Sequence, residues 1–385
     1  MTTPVAQGDA PIVRFRSAAP VAAAAEAIAA GAAGSALTVL FASGDYALGE
    51  LGAALAARGL AHVIGAATGR IIGAGGVERH GISGFHLPAG RFAAAETVFE
   101  DVAAWTLPQL RERVRALRAE LDARAAGELA NHFALLLVDA ETRCEERLAA
   151  MLGMELSGVA LVGGSAGDLY FNPLGRGVDA PPLLYHGGAV RNAALLALVA
   201  TSAPLAAYCH NHYTTTERKV VITGADPLRR IVDEIDGMPA LKTYAALCGL
   251  RRNTVSAEDF APFPLMVRIG GQYYARGVQR IANGSALEFA CAIERGLVVT
   301  LARPGDMVER LKELFGEMRA RIGTPELVIG FDCAARAAYM ERQGLTGRIA
   351  PLLAAHSVSG FATLGEQYNT VHANNSFTCL GLGAP

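Results

Sequence analysis

Val159-Ala160-Leu161-Val162-Gly163-Gly164-Ser165-Ala166-Gly167-Asp168 reads as a buried strand running into a glycine and hydroxyl turn. Upstream, Phe133 to Asp139 (FALLLVD) is a second apolar run, and Glu141 to Leu152 between them reads as a helix. Strand, helix, strand and turn are the sequence form of a βαβ crossover. The same order occurs twice more. Ala36 to Ser43 (ALTVLFAS), a helix over Asp45 to Arg58 and a strand at His62 to Ile64 lead into Gly65-Ala66-Ala67-Thr68-Gly69-Arg70. Leu327 to Phe331 (LVIGF), helical segments at Ala334 to Gln343 and Ile349 to His356, and a strand around Val358 lead into Gly360-Phe361-Ala362-Thr363-Leu364-Gly365-Glu366. Uninterrupted apolar strands predict parallel pairing with both faces covered. Ligands of such sheets sit beyond the strands' carboxyl ends. Three similar turns there point to one shared pocket, with hydroxyls from Thr68, Ser165 and Thr363 and close backbone approach at Gly164. The plainer reading of each turn alone is a tight connection.

Between the first two units, Leu110, Val114, Leu117 and Leu121 make an apolar stripe at helical spacing over Leu107 to Arg124. A second lobe is expected from about Arg191, with strands at Ala193 to Ser202, Val220 to Thr223, Leu265 to Ile269, Tyr273 to Val278 and Leu297 to Leu301, and a hairpin through Ile231 to Ile235. Asp306 caps a helix to Ile322. The fold class is α/β: two lobes with repeated βαβ-like units and mixed sheets. The divisions are an N-terminal segment and helix at 1–35, then domains at 36–190 and 191–385.

The chain has 385 residues, 52% of them hydrophobic, enough for large cores and against disorder. A net charge of −2 and only three lysines argue against nucleic acid and anionic membranes as partners. The first twenty residues lack a secretory apolar core, and Glu26, Gly31, Gly34 and Ser35 interrupt the alanine-rich stretch after them. Six cysteines without a C-x-x-C pair suit reduced thiols, so a cytoplasmic location is expected.

No Walker loop, clean G-x-G-x-x-G, HExxH, kinase signature or Ser-His-Asp order occurs, which weighs against a conventional enzyme. An unfamiliar enzyme site is the alternative: Cys333, activated by Arg336 one helical turn on, with Glu366 and His372 supplying carboxylate and imidazole. His210 and His212, two apart, share one face if they lie in a strand and then form a candidate metal or haem pair. His372 lies in a polar stretch, Tyr368 to Asn375, embedded between apolar segments. Its buried polar groups need partners, which a hydrogen-bonded turn or a ligand supplies.

The stretches Val159 to Asp168 (VALVGGSAGD), Val358 to Gln367 (VSGFATLGEQ), His372 to Thr378, Val221 to Tyr244 and Phe331 to Arg336 resemble the FIST sensory proteins, with their FIST N and FIST C regions. The likeness runs over roughly 36–383. The first turn departs from it: it is one residue short and has Arg70 where the family carries an acidic residue. The resemblance implies a bacterial small-ligand sensor in signal transduction. Ligand contacts then fall to Thr68, Gly164, Ser165, Asp168, Thr363, Glu366 and Asn374. The family's nitric-oxide-sensing haemoprotein branch (NosP-like) is similar in length and in its FIST C motifs. It implies haem b, with His212 or His372 on the iron, and a partner histidine kinase or cyclic-di-GMP enzyme.

Overall fold

All three repeated units form as strand, helix and strand in this computed structural model, which describes residues 10–125, 129–167, 182–250 and 256–384. The first is Ser35–Ser43, Leu48–Ala56 and Val63–Thr68. The second is Asn131–Asp139, Glu145–Glu155 and Ala160–Ala166. The third is Pro325–Cys333, helices Ala334–Arg342 and Thr346–Ala355, and Val358–Thr363. Within each unit the two strands pair in parallel, as their apolar runs predict. The other pairings within these three sheets are antiparallel, so the sheets are mixed. The architecture is α/β.

Each parallel pair is extended on one side by two antiparallel strands and on the other by a short hairpin borrowed from another unit. The hairpin Ile71–Gly73 with Gly76–Glu78 follows the first unit but pairs with Val358–Thr363 of the third. Leu184–His186 with Ala189–Val190 comes after the second unit and pairs with Val63–Thr68 of the first. Glu366–Tyr368 with Val371–Ala373 comes after the third and pairs with Ala160–Ala166 of the second. The exchange closes a ring of three sheets, and no unit completes its own.

The glycine segments expected as turns are strand. Gly65, Gly163 and Gly360 lie inside Val63–Thr68, Ala160–Ala166 and Val358–Thr363, opposite Leu40, Leu136 and Gly330. The last two are required by close approach: a Cβ would stand 2.0 Å from the Leu136 carbonyl oxygen at Gly163 and 1.7 Å from that of Gly330 at Gly360. Gly164 is likewise a packing position. Its Cβ would meet Thr363 Cγ2 at 2.4 Å and Phe331 at 2.8 Å. Phe331, Phe361 and Phe41 pack together there, with ring centroids 5.1–6.4 Å apart, joining the first and third units. Gly164→Val therefore fails at folding before any ligand is involved.

The stripe Leu110, Val114, Leu117 and Leu121 is buried on helix Leu107–Arg124, which lies on strand Phe92–Glu100. Ala193–Thr201 pairs with Phe92–Glu100 on one side and Asn131–Asp139 on the other, inside the second unit's sheet. A further sheet is organised around Tyr213–Asp226, a 14-residue strand that pairs with Val298–Pro304 early and Ile231–Ile235 late, with register shifts between. The Tyr273 segment is two strands, Gln272–Arg276 and Val278–Ala282. Asp306 caps helix Met307–Ile322, accepting from the backbone N–H groups of Val308 and Glu309.

Candidate functional site

The borrowed strand Glu366–Tyr368 carries two adjacent polar side chains into the interior. Neighbouring strand residues face opposite sides of a sheet, so Glu366 and Gln367 build two separate clusters. On one side Gln367 Nε2 donates to Ser165 Oγ at 2.9 Å and lies 3.3 Å from Nδ1 of His372, its cross-strand partner. Asn374 comes next in the chain after that hairpin. Gly365 leaves room for both: a Cβ on it would lie 2.2 Å from His372 Cε1 and 3.2 Å from Asn374 Nδ2. Ser165, Gln367, His372 and Asn374 are all buried. Yet Gln367 Oε1, His372 Nε2 and both amide atoms of Asn374 have no hydrogen-bond partner. Arg276 closes the cluster, donating to the His372 carbonyl at 3.3 Å. Burial pushes the His372 imidazole below its usual range, against the pull of Glu146 and Glu145. It is therefore neutral at physiological pH.

On the other side, the Glu366 carboxyl accepts from the Thr363 hydroxyl, from Ser376 Oγ at 2.6 Å and from Ser376 N at 3.2 Å. It is fully buried, and burial pushes its pKa up to about 8, helped by nearby Asp332 and opposed by the two hydroxyls. The acid is protonated in the folded chain at neutral pH. The stability it lends is complete below the unfolded value of 4.5 and is lost as pH rises towards about 8. Glu366→Gln keeps the shape of the protonated acid. Relative to wild type, it should gain up to about 1.4 kcal/mol per pH unit across that window. Urea unfolding at several pH values reads this directly, and parallel slopes for the two proteins would refute it.

Next to this cluster, Asp332 accepts from Arg336 Nε at 2.6 Å, and both side chains are buried. Arg336 Nη1 lies 3.4 Å from His212 Nδ1. The His212 ring lies between Tyr213 and Tyr339, at 4.1 and 5.2 Å, and the Tyr213 hydroxyl accepts from Asn375 Nδ2. Cys333 is buried, and burial together with Glu366 holds its thiol well above the usual range. Arg336 is committed to Asp332, so Cys333 is no thiolate at neutral pH and the thiol-catalysis alternative loses its nucleophile. Cys333 should label with a thiol reagent only at the rate of global unfolding; labelling as fast as an exposed thiol in native buffer would contradict this.

The hairpin thus brings Ser165, His372 and Asn374 together on one side of its strand and Thr363 and Glu366 on the other, rather than into a single pocket. Gly164 lies opposite Glu366 in the register but serves packing. Thr68 binds the Ala362 carbonyl at 2.7 Å, tying the first unit to the third. Ser165 is one residue out of step with Thr68 and Thr363, so it faces the Gln367 side. Asp168 lies outside the described residues. His210 and His212 do not share a strand: Leu205–His210 ends, and the Asn211 side chain accepts from Tyr213 N, turning the chain. Sequence reasoning passed over Gln367 as a role-bearing residue, although it stands inside the quoted GEQ motif, because its contacts with Ser165 and His372 depend on a strand pairing that the motif does not show. Nothing near Arg276 in the chain signals its place.

Neither candidate histidine fits haem iron. Arg336 can only donate, so His212 Nδ1 accepts and the neutral ring carries its proton on Nε2. Gln367 Nε2 imposes the same tautomer on His372. An iron ligand needs the lone pair that this proton occupies, and both Nε2 atoms are enclosed by protein. Among the described residues no group of three His, Cys, Asp or Glu side chains is placed to hold a metal ion.

No helix among the described residues is long and apolar enough to cross a membrane. No curated protein matches the chain. The family model described as the FIST N domain matches residues 36–238, and that described as the FIST C domain matches 240–369. The ring of exchanged hairpins draws on both matches: Ser165 lies in the first and Gln367 in the second, while His372 and Asn374 follow just after it. The chain belongs to the FIST family, whose domains are small-ligand sensory domains of signal transduction.

Proposed function

We propose that the ligand is a small amphoteric molecule of amino-acid type, bound by Ser165, Gln367, His372 and Asn374 around Gly365. The observation that carries this reading is the set of four buried, unpartnered atoms there. In the tautomer set by Gln367, His372 Nε2 and Asn374 Nδ2 are donors, while Asn374 Oδ1 and Gln367 Oε1 are acceptors. Leaving such groups unpaired costs about 1–3 kcal/mol each. A molecule bearing both a carboxylate and an ammonium group restores those bonds, and binding opens and repacks an otherwise closed core. Arg276 and Glu146 supply opposite charges beside it.

The ligand-bound state is read by a separate signalling protein, a histidine kinase or a cyclic-di-GMP enzyme, as the family resemblance implies. All six cysteines are unpaired, which suits the reducing cytoplasm. Haem-based nitric oxide sensing has no fitting ligand in His212 or His372, and His212→Ala and His372→Ala should leave the haemin spectrum as wild type leaves it. The test of the main reading is thermal melting with each of the twenty free amino acids at millimolar concentration. At least one should raise the wild-type melting temperature by about 5 °C and leave Asn374→Ala unmoved. No shift with any of them, or equal shifts in both proteins, would sink this ligand class.

A further inference from the structure

Among the described residues, the third unit's sheet has a free edge. Among those residues its outermost strand, Leu205–His210, pairs with Phe377–Gly383 alone. The direction of its backbone groups follows from two bonds. Gly383 N donates to the Pro204 carbonyl at 2.8 Å, and the Tyr368 hydroxyl reaches the Ala207 carbonyl from the opposite side at 3.3 Å. Hydrogen-bonding direction alternates along an antiparallel pair. Ala206, Tyr208 and His210 therefore bond inwards to Phe377–Gly383, and Leu205, Ala207 and Cys209 turn their N–H and C=O groups outwards. The Tyr368 hydroxyl is the one hydrogen-bond partner these outward groups have among the described residues.

The edge faces a cleft of about 460 Å³ lined by Gly158, Ala160, Leu205, Ala207, Arg321 and Tyr368 among others. Sites that enclose small ligands run to roughly 300–1,000 Å³. Arg321 is the one charged side chain among the described residues that line the cleft. Tyr368 occupies the Ala207 carbonyl, so the outward groups that remain beside the cleft are those of Leu205 and the Ala207 N–H, a short run. A chain terminus suits so short a run of main-chain groups beside one guanidinium.

We propose that this cleft captures the C-terminal end of a partner polypeptide as an added strand on Leu205–His210, with its terminal carboxylate on Arg321. Main-chain bonds from Leu205 and the Ala207 N–H supply affinity that tolerates many sequences, as in other strand-addition sites. The guanidinium supplies the preference for a carboxylate end. The surface is separate from the polar cluster around Gly365, so it offers the sensor a contact with its partner.

The experiment is affinity selection by the full chain from a random tetrapeptide library, read by mass spectrometry, with free and with amidated C-termini. Wild type should enrich free-acid peptides. Amidation, Arg321→Gln and Ala207→Pro should each reduce capture about tenfold or more. Ala207→Pro removes an outward N–H and no bond to Phe377–Gly383; should it fail to fold, Arg321→Gln decides alone. Asn374→Ala should capture peptides as wild type does, which separates failure here from failure of the amino-acid reading. Equal capture of amidated peptides, an unchanged Arg321→Gln, or no enrichment at all overturns the proposal. An acidic side chain as the true determinant would appear as amidated Asp- or Glu-containing peptides binding undiminished.

Discussion

Asp332→Ala should destabilise the chain by about 3–5 kcal/mol, more than most single changes do. Asp332 stands near the end of strand Pro325–Cys333, and Arg336 follows one helical turn later on Ala334–Arg342. They are 2% and 1% exposed, so neither charge has water to fall back on. Their bond, 2.6 Å from Nε to Oδ1, is the closest compensation the guanidinium has. His212 gives it little more at 3.4 Å, and a neutral imidazole neutralises nothing. Removing the carboxylate leaves a buried cation facing Tyr213, Tyr339 and His212. Arg336→Met strands the carboxylate instead, beside Glu366, whose own acid is already held protonated. The double variant Asp332→Leu with Arg336→Met removes both charges, so it should be more stable than either single change. Denaturant unfolding of the four proteins checks this; additive losses would show that the two residues do not act as a pair.

Gly360→Ala is the second large effect. The new methyl would sit 1.7 Å from the Gly330 carbonyl oxygen across the parallel pair. That neighbour is backbone, so no rotamer change relieves the overlap, and the strands must separate. Overpacking typically costs about 1–3 kcal/mol, and a clash with a hydrogen-bonded main chain belongs at or beyond the top of that range. Val358–Thr363 also carries the hairpin borrowed from the first unit, so its displacement loosens two units at once. The expected outcome is insoluble or molten protein, judged by near-ultraviolet circular dichroism. Gly59→Ala is the control: its φ of 82° is strained for alanine, but a Cβ there meets nothing within 4 Å. A Gly360→Ala protein that melts like wild type would show that the close approach is not structural.

The repeated strand, helix, strand units were legible because each is a local pattern: an apolar run of strand length, a helical stripe, a second run. The exchange of hairpins was not. Ile71–Gly73 and Leu184–His186 are three-residue strands whose partners lie far away in the sequence, and nothing local chooses between them. Glycine misled for a related reason. Gly163 and Gly360 serve a close approach in an extended strand, and that use has the same sequence signature as a turn. Ser165 looked equivalent to Thr68 and Thr363, but one residue of offset sends its hydroxyl to the other face. His372 and Asn374 were legible as site candidates, since polar residues set between apolar runs must be buried and need partners, and Glu366 was marked by the family resemblance. That Glu366 and His372 serve two different clusters follows from strand alternation at Glu366–Gln367, which shows only once the pairing with Ala160–Ala166 is known. Arg336 was visible at helical spacing from Asp332, yet Cys333 between them drew the assignment.

Native mass spectrometry gives the most direct measurement of whether the polar cluster around Gly365 is a ligand site. Wild type and Asn374→Ala, purified side by side without denaturation, would be titrated with an equimolar mixture of the twenty amino acids. The expected result is one bound molecule per wild-type chain, with occupancy about tenfold lower on Asn374→Ala, whose amide carries two of the four unpartnered atoms. Equal occupancy of the two proteins, or wild type that stays bare throughout, would contradict the assignment.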